Sequence, residues 1–274
     1  MDAVFQTICY GSALFAVLLL GLLIFRIVSD GLPRLNLEFI RSALSSRPKR
    51  TGMWPAIQGS IVVMALTAII AVPVGVLAAI YLEEFTPRRN PLASFIQLNI
   101  ANLAGVPSIV YGLLGLAVFV RGFGFGSTVL AGSLTMALLI LPMIIIVTQE
   151  ALRSVPGSLR EASLGLGSTR WQAIRHQVLP SAAPGIMTGV ILAIGRALGE
   201  TAPLIVVGAV AGVVDGPTSI KDRYTVLPMQ IFTWSSDARA EAHSVAATGI
   251  LILMAVLLLL NSVAIYMRGR SMNR

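Results

Sequence analysis

The sequence predicts an all-α integral membrane protein with six transmembrane helices. Two observations carry that class. The chain of 274 residues is 56% hydrophobic and only 12% charged, with mean hydropathy +0.85. A water-soluble domain of this size carries about twice that charged fraction. Six apolar runs also reach the roughly 20 residues a helix needs to cross hydrocarbon. They are 8–28, 59–82, 100–120, 127–148, 186–210 and 244–267. Only helices satisfy their own backbone in lipid at this length. The chain 1–274 reads as one transmembrane domain, with a polar segment at 149–185 between the fourth and fifth runs.

Composition excludes several functions. The net charge is +8, but the basic residues are scattered over short loops. No basic stripe with interleaved aromatics is present, so nucleic acid is not an expected partner. The charge suits anionic membrane lipid. Lys and Arg divide evenly between the two sides, so the positive-inside rule sets no orientation. Cys9 is the only cysteine, and no intrachain disulfide is possible. The two lysines, Lys49 and Lys221, follow no Gly-x4-Gly loop, so no Walker A site exists. His176 and His243 lie far apart, and no zinc-type ligand set is visible. Asp2 is the only charge ahead of the first apolar run, and no small-x-small site follows it. Residues 8–28 therefore read as a retained membrane helix.

The elements follow in order. After the first span, 29–58 carries Arg34, Arg41, Arg47, Lys49 and Arg50 and reads as an exposed connector. Spans two to five each hold a proline: Pro73, Pro107, Pro142 and Pro203. Proline removes a backbone donor and kinks a helix, which leaves room for a path. It is also simply commoner in membrane helices. Residues 83–99, beginning EEFTPRRNP, read as a charged turn. Span three begins NLAGVPSIVYGLLGL, with Ser108 and Tyr111 three apart on one helix face and Pro107 freeing the Leu103 carbonyl. Those hydroxyls serve either a path or an ordinary helix contact. The RGFGFGS glycines join two membrane helices with no strand before them, which is a tight turn and not a nucleotide loop.

Span five reads IMTGVILAIGRALGETAPLIVVGAV. Arg196 and Glu200 are expected near its middle, four residues apart on one face. A charge at the bilayer centre costs about 3 kcal/mol on insertion scales, so the two must pair, face other helices or line water. One reading is a buried ion pair that fixes packing. The other is a path for an anion. Arginine offers an oxyanion two parallel donors. Release is needed for conduction, and a nearby carboxylate offsets the positive field. Glu200 can also accept a hydrogen bond from a protonated oxyanion, which hydrogenphosphate is and sulfate is not. Gly195 and Gly199 form a GxxxG, which predicts close approach of another helix.

Residues 158–180, SLREASLGLGSTRWQAIRHQVLP, are the longest polar interruption that still has folding signals. Ser158 with Glu161, and Thr169 with Gln172, have capping-box spacing. Gly165 and Gly167 interrupt, and Pro180 and Pro184 are expected to stop the second helix. The reading is helix, glycine turn, helix at a membrane surface. Glu161-Ala162-Ser163, Gly167 and Gln177-Val178-Leu179-Pro180 resemble the EAA signature of ABC importer permeases, with Ser163 and Gln177 departing from the pattern.

GMWPAIQGS, NLAGVPSIVYGLLGL, GRALGETAP and TVLPMQIFTWSSDARAEA extend the resemblance to the PstA-type permeases of bacterial phosphate ABC importers. That resemblance implies a type I importer permease with a MetI-like core, both termini in the cytoplasm of a bacterial inner-membrane protein. It assigns ATPase coupling to Arg160, Glu161, Ala162, Gly165 and Gly167. It implies a substrate path through Arg196, Glu200, Ser108 and Tyr111. The implied partners are a second, PstC-like permease, two PstB-like ATPase subunits that hold ATP and Mg, and an extracytoplasmic PstS-like phosphate-binding protein. The last outer segment, 224–242, would meet that binding protein, or else lie at the interface through Phe232 and Trp234. The chain itself would hold no cofactor and catalyse nothing. Permeases for sulfate, molybdate or phosphonate are the alternative within this class. A secondary transporter is the rival outside it, although no internal repeat supports that.

Overall fold

The computed structural model describes residues 2–45, 47–87, 90–209, 213 and 215–272. Among them, every regular element is helical. In order these are α1 (Asp2–Gly31), α2 (Leu37–Arg41) and α3 (Trp54–Ile80), which runs on through a π-helical turn, Tyr81–Phe85. Next come α4 (Pro91–Ala104), α5 (Ser108–Gly115) with a second π-helical extension, Leu116–Gly122, and α6 (Val129–Arg153). After α7 (Gly157–Gly165), α8 (Arg170–Ala173) passes through a third π-helical turn, Ile174–Val178, straight into α9 (Leu179–Leu198). The chain ends with α10 (Ala202–Val207), α11 (Leu227–Ser235) and α12 (Ala240–Met272).

Among the described residues, five helices are long and apolar enough to cross a membrane. The pair α4–α5, bent by 101°, makes a sixth if taken as one span. Span three is thus two helices and not one. Pro107 has no N–H to continue the ladder and stands as the N-cap of α5. Span five also differs from expectation. Its membrane helix starts at Arg170 and ends at Leu198. Pro180 and Pro184 do not stop it. Pro180 directly follows the wide turn, where the Leu179 N–H reaches back five residues to the Ile174 carbonyl, and Pro184 lies inside α9.

The helix α6 is the central pillar. It packs on α3 and α9; α9 packs on α12, and α1 leans on α12. Small residues set the closest approaches, as expected where lipid removes the usual hydrophobic drive between helices. A Cβ on Gly75 would lie 2.6 Å from Cγ2 of Ile144. Hydroxyls add to this seam: Thr67 Oγ1 donates to the Ser133 carbonyl at 3.2 Å, and Ser133 Oγ to that of Val63 at 3.3 Å. The Gly195–Gly199 pair is not such a seam within the chain, since Gly199 meets only its own helix end.

A second apolar cluster closes the opposite end. Phe39, Leu44 and Met53 are buried there with Trp234 and Val245. So 29–58 is not merely an exposed connector: Asn36 caps α2 by accepting from the Phe39 N–H at 2.7 Å and turns Phe39 inward. Trp234 packs on Phe39, with ring centroids 6.3 Å apart, and only Phe232 of the pair stays exposed. Residues 218–222 cap α6 there, as the Ile220 and Asp222 carbonyls accept from the Leu130 and Val129 N–H groups. The Asp222 carboxylate holds that turn. Hydrogen bonds from the Ser219 and Thr218 backbones and the Thr218 hydroxyl keep its pKa below the ordinary range.

At the other end, 83–99 is shorter than a loop of that length, because α3 continues to Phe85 and α4 starts at Pro91. Arg88 and Arg89 lie outside the described residues. Gly31 abuts Thr248, whose hydroxyl donates to its carbonyl at 3.0 Å. The start of α1 and the end of α12 therefore lie at one end, the end that also carries α7 and α8.

Candidate functional site

Two proline-associated breaks open on one cavity of about 580 Å³. Its walls are the α4–α5 break, including Leu103, Ser108 and Tyr111, then Met143, Val147 and Glu150 of α6, and Arg196, Ala197 and Glu200 at the end of α9. Sites for small solutes commonly fall at about 300–1,000 Å³. All four residues expected on a path, Ser108, Tyr111, Arg196 and Glu200, line this space.

Each is placed by local chemistry. Ser108 opens α5 behind Pro107. Tyr111 donates its hydroxyl to the Leu103 carbonyl at 2.9 Å and so ties the two arms of the bend together. Arg196 stands in the last turn of α9 and Glu200 beyond its end, not together in mid-helix. Gly199 ends the ladder because Pro203, four residues on, cannot donate to it. The chain then folds back, with the Glu200 N–H donating to the Ala197 carbonyl at 3.1 Å. Arg196 Nε lies 3.9 Å from Glu200 Oε1, and the arginine side chain is 64% exposed. That separation is an ion pair but exceeds a hydrogen bond, so the carboxylate takes none of the guanidinium donors. Nη1 touches the Met143 sulfur at 3.9 Å.

Glu150 was not anticipated. It lies two turns beyond Met143 on the same side of α6, about 10 Å along the axis. The spacing 143, 147, 150 is helical, but the apolar run stops at Thr148, and hydropathy alone ended the span too early.

The polar segment forms the predicted helix, turn and helix. Thr169 and Gln172 make a complete capping box, with Gln172 N–H to Thr169 Oγ1 at 3.3 Å and Thr169 N–H to Gln172 Oε1 at 2.8 Å. Ser158 does not cap α7. The helix begins one residue earlier, at Gly157, behind Pro156. Gly167 takes φ +85°, the left-handed turn between the two helices. Glu161, Ala162, Gly165 and Gly167 are exposed, beside uncovered Leu164, Leu166 and Trp171. Arg160 points the other way, into an ion pair with Glu84 of the α3 extension.

Membrane-length helices thus surround a charged cavity, and an ordered segment is left uncovered at one end. The family model described as "Binding-protein-dependent transport system inner membrane component" matches residues 71–270, and the chain belongs to that family. It is 38% identical over 194 residues to the probable ABC transporter permease protein YqgI of Bacillus subtilis, covering 71% of this chain and 65% of that protein. It is 42% identical over 155 residues to the phosphate transport system permease protein PstA of Mycobacterium leprae, covering 57% and 50%. The chain thus spans between half and about two thirds of the length of these relatives. The inward-facing MetNI methionine ABC transporter has the same fold, at TM-score 0.62 and 20% identity, over 83% of this chain and 99% of that one.

Proposed function

We propose that this chain is a permease subunit of an ATP-driven phosphate importer, with both termini and the α7–α8 segment in the cytoplasm. It forms half of the translocation path beside a second, homologous permease. The complex holds two ATPase subunits, and one of them binds the exposed α7–α8 segment of this chain through Glu161, Ala162, Gly165 and Gly167. An extracytoplasmic binding protein delivers phosphate at the opposite end. ATP and Mg are held by the ATPase subunits, and this chain supplies the path but no reacting group. The observation that carries this reading is the meeting of Arg196, Glu200, Ser108 and Tyr111 around one cavity. The relatives' names support phosphate as the anion.

The chemistry is consistent. Arg196 offers donors to the oxyanion. Carboxylates at Glu200 and Glu150 accept hydrogen bonds and donate none, which suits an anion that still carries a proton. Neither carboxylate lets the cation hold its ligand too tightly for release.

Uptake by the whole complex in proteoliposomes tests this. Arg196→Gln is expected to keep complex yield and to lower phosphate uptake by ~100-fold, since charge-assisted hydrogen bonds to the anion are lost. Arg196→Lys keeps the charge without the fork and loses less. Uptake that falls only in proportion to complex yield would make the pair a packing device. Sulfate competing as well as phosphate would overturn the choice of anion.

A further inference from the structure

Three consecutive residues of the turn Tyr81–Phe85 hold three different segments. Glu83 Oε2 accepts from Arg153 at the end of α6, 2.9 Å from Nε and 2.8 Å from Nη2. Glu84 takes Arg160 of α7, with Nη2 to Oε1 at 2.7 Å and Nε to Oε1 and Oε2 at 3.1 and 3.3 Å. Phe85 lies under the Arg170 guanidinium, 5.6 Å from the ring centroid, and 6.4 Å from the ring of Trp171, both on α8. A π-helical turn advances more slowly around its axis than an α-helix, at about 4.4 residues per turn for i to i+5 bonding. Three neighbouring side chains therefore fan over less than half the circumference, and one short turn can reach three segments.

The Glu84–Arg160 contact is the most enclosed of the three. The Glu84 side chain is 8% exposed. A carboxylate so enclosed needs a partner with several donors, and Arg160 uses its whole fork. Nη1 also donates to the Val155 carbonyl at 2.8 Å, and Nη2 to that of Leu152 at 2.7 Å. Leu152 is in the last turn of α6, where an orphan carbonyl and the helix dipole favour a cation. One guanidinium thus joins α7 to the ends of both α3 and α6, and α6 walls the cavity.

We infer that Tyr81–Phe85 is a transmission node, with Glu84 as a positioning residue that makes α7 one rigid body with the ends of α3 and α6. A displacement imposed on α7 then moves the cavity wall and is not absorbed in the 154–156 turn. This rests on the proposed function as an ATP-driven permease.

The test uses the full complex with its second permease, ATPase subunits and binding protein. Glu84→Gln keeps the shape and removes the charge. At matched complex yield, phosphate carried per ATP hydrolysed is expected to fall ~10-fold, in the usual range of a coupling energy between sites. Glu84→Arg and Arg160→Glu should each fall at least as far, the second also losing the donors to the Leu152 and Val155 carbonyls. A second readout needs no phosphate. Spin labels at Tyr81→Cys and Ser158→Cys, in a Cys9→Ser background, should keep one separation with and without ATP. In Glu84→Gln that separation should change on adding ATP. A separation that changes with ATP in the otherwise unaltered chain would overturn the node. So would single variants that keep their uptake per ATP, or lose only complex yield. If the unaltered complex hydrolyses ATP but carries no phosphate, the proposed function fails, and the label separation still decides on the node.

Discussion

At Gly167 the backbone, not the space around it, is the constraint. Its φ is +85°, and a Cβ there would meet nothing within 4 Å. An L side chain in this region costs about 1–2 kcal/mol. Gly167→Val should therefore shift α8 against α7 while the α3–α6–α9 core stays intact. The expected outcome is normal insertion in the membrane with loss of bound ATPase or of ATP-driven uptake. Normal assembly with normal uptake would remove Gly167 from the coupling segment. Arg160 teaches the converse lesson. It stands next to Glu161 in the sequence, yet a helix step of 100° turns it inward to Glu84 while Glu161 stays exposed.

At the scale of elements, the prolines divide into two groups. Pro73, Pro142 and Pro184 lie inside continuous helices. Pro107 and Pro203 follow breaks, and each has a glycine within the four preceding residues, Gly105 and Gly199. Proline removes one bond of the ladder, and glycine lets the chain leave helical geometry at little steric cost. These two breaks also belong together, for α5 packs on α10, and a Cβ on Gly112 would stand 2.8 Å from Cα of Pro203. The Tyr111 hydroxyl braces the first break. Tyr111→Phe should lower stability by about 1 kcal/mol, the net worth of one hydrogen bond. It should also reduce uptake several-fold by loosening the cavity wall. Thermal unfolding and transport, measured on the same preparation, check both effects, and no change in either would mean that the bend holds without the brace.

For the whole molecule, the prediction is topological. The packing of Gly31 on Thr248 and of Met53 with Val245 puts the ends of α3 and α12 together with α7. An impermeant thiol reagent should label Ser168→Cys, in a Cys9→Ser background, only after the membrane is opened. Rapid labelling of intact cells would invert the protein in the bilayer. Charge counting favours neither orientation, because the basic residues divide evenly.

By itself the sequence determined the helical membrane class, the run count, the Thr169 capping box and the identity of four cavity residues. These follow from hydropathy, local spacing and the cost of charge in lipid, all of which act within a few residues or on single side chains. The cost of Arg196 and Glu200 in hydrocarbon could be read without knowing what surrounds them. Their geometry could not, because whether a helix runs through a proline depends on the neighbouring turns and on the helices packed against it. Glu150 joined the cavity only when α6 proved longer than its apolar run. The inward course of Phe39 and Trp234 depends on the second cluster, formed by segments far apart in the chain. The grip of Glu84 on Arg160 spans 76 residues. No local rule reaches that far, since only tertiary packing brings the end of α3 to α7 and buries the carboxylate that makes the pair necessary.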